Sequence, residues 1–122
     1  MAVLVDTNLW IKHFRQGNDL LNALLEDNEV LCHPVVIGEL AMGNLPQRAQ
    51  TLWDFEHLPR PKLASWQETR HLVESRQLYA RGLQWNDVIL LASAIVSRVP
   101  LWTLDSALAE AAREIGHAYQ ES

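Results

Sequence analysis

Three short apolar runs, separated by segments long enough to hold helices, constrain this chain more than any other feature. Ala2-Val-Leu-Val5 runs into Asp6, Glu29-Val-Leu-Cys-His33 runs into Pro34, and Leu101-Trp-Thr103 follows Pro100. A brief continuous apolar run, without polar alternation, is the pattern of a strand covered on both faces, as in a parallel sheet. Parallel neighbours need long crossovers, usually helical. The expectation is therefore an α/β domain with a short, mostly parallel central sheet flanked by helices, spanning residues 1–122 as one unit.

The intervening segments read as helices. Thr7 and Asn8 are candidate caps for a helix carrying Leu9, Trp10, Ile11 and Phe14, closed by Gly17. Asp19 opens a second, with Leu20, Leu21, Leu24 and Leu25 to one side. Pro34 suits a first helical position, leading a helix from Val35 to about Gly43. Pro46 starts another, through Leu52, Trp53 and Phe55. Leu58-Pro-Arg-Pro61 is a connection brushing the sheet edge, because two prolines so spaced cannot occupy a central strand. Ser65-Trp-Gln-Glu68 is a capping-box pattern heading a helix expected to reach about Arg81 and stop at Gly82. Asn86 and Asp87 head the most apolar helix, Val88 to Val99, expected to be buried on most sides. Asp105 starts a last helix ending at Gly116, and His117 to Gln120 is a candidate edge strand.

Composition narrows the function classes. With 48% apolar and 20% charged residues, the chain can bury a core and is not a disordered one. Its longest apolar run, Val88 to Val96, is about half of the roughly 20 residues that a bilayer span requires. Cys32 is a lone cysteine, and no basic leader precedes the first apolar run, so the expected location is cytoplasmic, without a membrane partner. A net charge of −5 excludes a protein that coats nucleic acid by bulk positive charge. It does not exclude a nuclease whose carboxylates hold divalent cations. The five histidines lack zinc spacing with Cys32, the five glycines are isolated, and no Ser/His/Asp or Cys/His triad is indicated.

Four acids carry the chemistry, although each has an ordinary reading alone. Asp6 is a turn or cap residue between strand and helix. Glu39 sits in Val35-Val-Ile-Gly-Glu-Leu-Ala-Met-Gly43 with no base to pair with, so it must reach water, a partner or a cation. Asp87 favours the positive end of a helix, and Asp105 caps the last one. Taken together, two lie at strand ends and two on helices starting near the same sheet edge, where open parallel sheets gather their sites. Converging carboxylates repel unless cations lie between them, and such hard oxygen donors suit Mg²⁺ or Mn²⁺. Ions of this kind generate a hydroxide and stabilise the leaving oxygen of a phosphodiester. A receiver-like phosphoacceptor fits less well. It would need an acidic pair after the first strand and a late lysine, whereas Asp6 stands alone and no lysine follows Lys62.

The chain resembles the PIN-domain ribonucleases, and within them the VapC toxins of bacterial toxin–antitoxin pairs. The resemblance rests on Val5-Asp-Thr-Asn-Leu-Trp-Ile-Lys12, His33-Pro-Val-Val-Ile-Gly-Glu-Leu-Ala-Met-Gly43, Leu83-Gln-Trp-Asn-Asp-Val-Ile-Leu-Leu-Ala92 and Leu101-Trp-Thr-Leu-Asp105. It implies an endoribonuclease dependent on Mg²⁺ or Mn²⁺, with Asp6, Glu39, Asp87 and Asp105 as catalytic, metal-binding acids. Thr7 or Asn8, with Thr103, would orient them or a bound water. It also implies an RNA substrate, a homodimer, and neutralisation in a hetero-oligomer by a VapB-type antitoxin whose tail covers the site. Two departures stand out: Asn8 replaces a frequent Ser, and Ser106-Ala-Leu108 lacks a further acid, leaving one carboxylate at that corner. A catalytically weak PIN-like binding module is the alternative that this thin corner keeps open.

Trp10 and Trp102 flank the proposed site in sequence and are read as core rather than as stacking platforms for bases. Lys12, Arg15, Arg81 and Arg98 are candidate phosphate contacts, each equally readable as a solvated charge. The apolar faces Leu9 to Phe14, Leu20 to Leu25 and Pro46 to Phe55 are rich in large apolar side chains, and read either as core packing or as a groove for a partner helix together with a self-association face.

Overall fold

A computed structural model describes residues 1–121. Strand β1 (Val3–Val5) lies between β2 (Val30–Leu31) and β3 (Leu101–Trp102), and all three run parallel. Leu4 pairs with Leu31 on one side and Leu101 on the other. Every residue of β1 is buried, as the unbroken apolar run requires. The second strand is shorter than Glu29–His33 because Cys32 turns its amide to the carbonyl of Pro59, so the proline-rich connection does lie along the sheet edge. The segment after Gly116 contributes one parallel bridge at Ala118 rather than a strand over His117–Gln120.

Among the described residues seven helices surround this sheet: α1 (Thr7–Gln16), α2 (Asp19–Glu26), α3 (Pro34–Ala41), α4 (Arg48–Glu56), α5 (Trp66–Ser75), α6 (Trp85–Ser97) and α7 (Ser106–Ile115). The α6 helix buries Leu90, Leu91, Ala92, Ser93 and Ala94 in succession, so it is packed on most sides as its composition requires. Ser93, fully enclosed, accepts a hydrogen bond from the Ala64 amide and so ties the strap before α5 to it.

Several helix ends fall elsewhere than the sequence suggests. Asp6, not Thr7 or Asn8, caps α1, accepting from the Thr7 amide. Helix α4 starts at Arg48 rather than Pro46, and Gln84 rather than Asn86 or Asp87 precedes α6, which places Asp87 inside its first turn. The largest difference is α5, which stops at Ser75 instead of reaching Arg81. There the Leu78 amide bonds back to the Val73 carbonyl and the Gln77 amide to Glu74, with Gln77 at φ 53°, a Schellman ending that drives Leu78 into the core. Burial of Leu78 offsets the cost, about 1–2 kcal/mol, of placing a side-chain residue in the left-handed region. Helices α2 and α6 close the same way, with Asn28 and Arg98 left-handed. Gly116, at φ 84°, gives α7 that ending with the residue expected for it.

His33 caps α3 through its Nδ1, which accepts from the Val35 amide, and burial followed by the nearby Arg60 pushes its pKa down to about 4. The folded protein therefore binds fewer protons than the unfolded chain below about pH 6.5, and stability falls as pH drops towards 4. His33→Asn, which keeps a capping acceptor, is expected to flatten that loss in urea unfolding between pH 7 and pH 5. In the same assay at pH 7, Leu4→Ala should cost about 2–5 kcal/mol and the exposed cap change Ser65→Ala about 1 kcal/mol.

Candidate active site

The strand order places β1 at the centre with its chain leaving first to one side and later to the other. Asp6 follows the carboxyl end of β1, the position where open parallel sheets gather their sites, and is 5% exposed. Its Oδ1 accepts from the Thr7 amide at 2.7 Å. Its Oδ2 accepts from the Thr103 hydroxyl at 2.8 Å and from Asn8 Nδ2 at 3.2 Å. Asn8 also donates to Thr103 Oγ1, and its Oδ1 accepts from the Leu104 amide, stitching α1 to the loop after β3. Asn8 thus serves as donor through Nδ2 and as acceptor through Oδ1.

Thr103 Oγ1 in turn accepts from the Asp105 amide, and Asp105 Oδ1 caps α7 by accepting from Leu108. Glu39, exposed on α3, accepts the Thr7 hydroxyl at 2.7 Å. Asp87 Oδ2 accepts from the Gln84 amide at the head of α6. All three supporting residues, Thr7, Asn8 and Thr103, therefore contact one of the four acids directly.

Electrostatics link the same four groups. Burial pushes the Asp6 carboxyl above the usual carboxylate range, Thr103 and Thr7 pull it back, and the charges of Asp87 and Glu39 raise it again. Burial likewise raises Asp87, opposed by the Gln84 amide and reinforced by Asp105 and Glu39. Among the described residues none of the four forms an ion pair with a protein cation. As they stand, no three acidic, His or Cys side chains among the described residues converge closely enough to hold a metal ion. One oxygen of Glu39, Asp87 and Asp105 is fixed by the hydrogen bonds above, and the other has no protein partner among the described residues. That leaves hard, anionic donors free to turn toward a divalent cation, which the all-oxygen set suits by chemistry.

Other sequence candidates separate cleanly. Trp10 and Trp102 are 2% and 4% exposed; the first meets Phe55 edge-on and the second packs on Tyr119, so both are core. Arg81 pairs with Glu114, and Arg98 lines a cleft with Met1 and Gly116 at the opposite end of the sheet, so neither faces the acids. Arg15 shares a cleft with Glu39. Arg113, which the sequence did not single out, shares one with Thr103; its signal was its place two turns beyond the cap Asp105. Ile11, Phe14 and Trp53 remain exposed on α1 and α4, so these faces do carry apolar surface beyond the core.

The PIN domain family model matches residues 3–114, and the chain belongs to the PIN-domain family. Its sequence is 42% identical over 120 residues to ribonuclease VapC32 of Mycobacterium tuberculosis, in both the H37Rv and CDC 1551 strains, covering 98% of this chain and 97% of that protein. That full-length likeness places it among the VapC proteins. The fold is similar to the crystal structure of FitAcB from Neisseria gonorrhoeae, with a TM-score of 0.61, 18% identity, and 91% and 93% of the two chains covered.

A raised carboxyl pKa means that the native protein holds more protons than the unfolded chain just above the ordinary range, so ionising Asp87 destabilises the fold as pH rises through that window. Asp87→Asn keeps an acceptor for the Gln84 amide. It is expected to melt above the wild type at pH 7 in EDTA, with the difference vanishing below the usual carboxylate range, as read by circular dichroism.

Proposed function

We propose that this chain is the toxin of a toxin–antitoxin pair, an endoribonuclease that hydrolyses RNA phosphodiester bonds with Mg²⁺ or Mn²⁺. The observation that carries the reading is the gathering of Asp6, Glu39, Asp87 and Asp105 at one sheet edge without a protein counter-charge among the described residues, in a chain 42% identical throughout to a ribonuclease. Those four carboxylates would hold the cation, which when bound supplies Lewis acidity and an acidified water. The protein's own contribution is positional. Thr103, Asn8 and the Thr7 amide fix Asp6, the Thr7 hydroxyl fixes one oxygen of Glu39, and Asp105 is anchored as the cap of α7.

Hydrolysis adds a water oxygen to phosphorus, breaks one phosphorus–oxygen ester bond and delivers a proton to the departing oxygen. Among the described residues no histidine or lysine hydrogen-bonds to the four acids. The remaining expectations extend the same reading: a cytoplasmic protein, a homodimer, and a VapB-type antitoxin whose basic tail meets the −5 toxin. Among the described residues no helix is long and apolar enough to cross a membrane.

Inducible expression in bacteria, at matched protein levels, tests the reading. Wild type should arrest growth and cut cellular RNA, while Asp6→Asn and Asp87→Asn should lose activity by about 10²-fold or more, as expected for removing a ligand of a catalytic metal. Soluble, folded single variants that cut RNA as well as the wild type would overturn it.

A further inference from the structure

We infer that an RNA strand crosses the acidic site between two arginines, Arg15 and Arg113, which hold phosphates on either side of the one that is cut; this rests on the ribonuclease reading above. Two clefts of about 430 and 400 Å³ carry the argument. The first lies against α1, contains Glu39 and Arg15, and is walled by Ile11, Phe14 and Leu45. The second lies between β3 and α7 and contains Thr103, Arg113 and Tyr119.

Glu39 lines the first and Thr103 the second, and Asp6 lies between them. Glu39 is bonded to Thr7, the Thr7 amide to Asp6, and Asp6 to Thr103, so one chain of hydrogen bonds joins the two clefts. The helices make the arrangement nearly symmetrical. Helix α1 starts at the cap Asp6 and α7 at the cap Asp105, and each arginine lies about 12–14 Å along its helix from that cap at 1.5 Å per residue. Neither arginine forms an ion pair among the described residues, unlike Arg70 and Arg81.

Chemistry selects the occupant. A chain of net charge −5 cannot draw a polyanion by its overall field, so phosphates must be held by local cations. Guanidinium groups grip phosphate oxygens in pairs, and the partly exposed rings of Phe14 and Tyr119 offer faces on which unpaired bases stack. A single strand fits, because a duplex would keep its bases from these walls.

The test separates binding from cutting. A fluorescent random-sequence single-stranded RNA pool is titrated with Asp87→Asn protein in Mg²⁺ over a salt series. Arg15→Ala and Arg113→Ala should each lower the slope of log K against log salt by about 0.7, and the double variant by about 1.4. Arg15→Lys should restore the slope. In otherwise wild-type protein the alanine variants should raise KM several-fold and leave kcat nearly unchanged. Circular dichroism melts unchanged from the parent protein that carries the arginines confirm folding, since both side chains are at the surface. Slopes unchanged by either substitution overturn the path, including the case in which the same variants lose affinity for a protein partner, which would assign the clefts to that partner. Arginine-dependent slopes in a protein that cuts no RNA would keep the path and remove the ribonuclease reading.

Discussion

The carboxylate of Asp6 accepts hydrogen bonds from the backbone at the start of α1, from the Asn8 side chain one residue further, and from Thr103 on the far side of β3. A buried carboxylate is costly unless its oxygens are satisfied, and these donors come from segments that meet only when the sheet is formed. The group therefore does two things at once. It ends β1 and begins α1, and it holds the loop after β3 against both. Asp105 inherits its position from that contact, since its amide is fixed by the same threonine.

The price of the arrangement is electrostatic. Asp6 and Asp87 are held above their ordinary ionisation range by burial and by their acidic neighbours, and among the described residues no protein cation pairs with them. A site selected for stability alone would place an arginine in an ion pair with these acids; among the described residues the arginine that shares a cleft with one of them, Arg15 beside Glu39, forms no such pair. The fold tolerates the strain because the rest of the core is conventional, with β1 sealed between its neighbours and the middle of α6 buried from Leu90 to Ala94. The exposed apolar side chains of Ile11 and Phe14 on α1 line the cleft that holds Glu39, so the apolar face and the acidic edge adjoin.

Helix ends were the least readable part of the fold. Gly116 announced the end of α7, but Asn28, Gln77 and Arg98 terminate their helices in the same left-handed geometry without the residue that usually signals it. What stops α5 and α6 is the next apolar side chain. Leu78 and Val99 reach the core only if the chain reverses there, and their burial outweighs the local strain. Local propensity held where it met no competing demand, as at the Ser65–Glu68 capping box and at Pro34.

Much of the site was legible in the order of residues, because strand-ending acids and a carboxylate stranded in an apolar helix are unusual in one dimension. The three parallel strands followed from uninterrupted apolar runs, and the burial of α6 from its composition. Asp6, Glu39, Asp87 and Asp105 could be named, but not the bonds that position them: Asn8 as a two-way bridge and Thr103 as the shared hinge exist only where residues 95 and 97 positions apart in the chain are brought together. Arg113 acquired meaning in the same way, from the cleft it shares with Thr103. Sequence alone determined which groups carry charge and which segments must be buried, since both are properties of side chains and their spacing. The tertiary structure decided which charges face one another and which hydroxyl and amide groups hold them, since those are properties of contacts between distant segments.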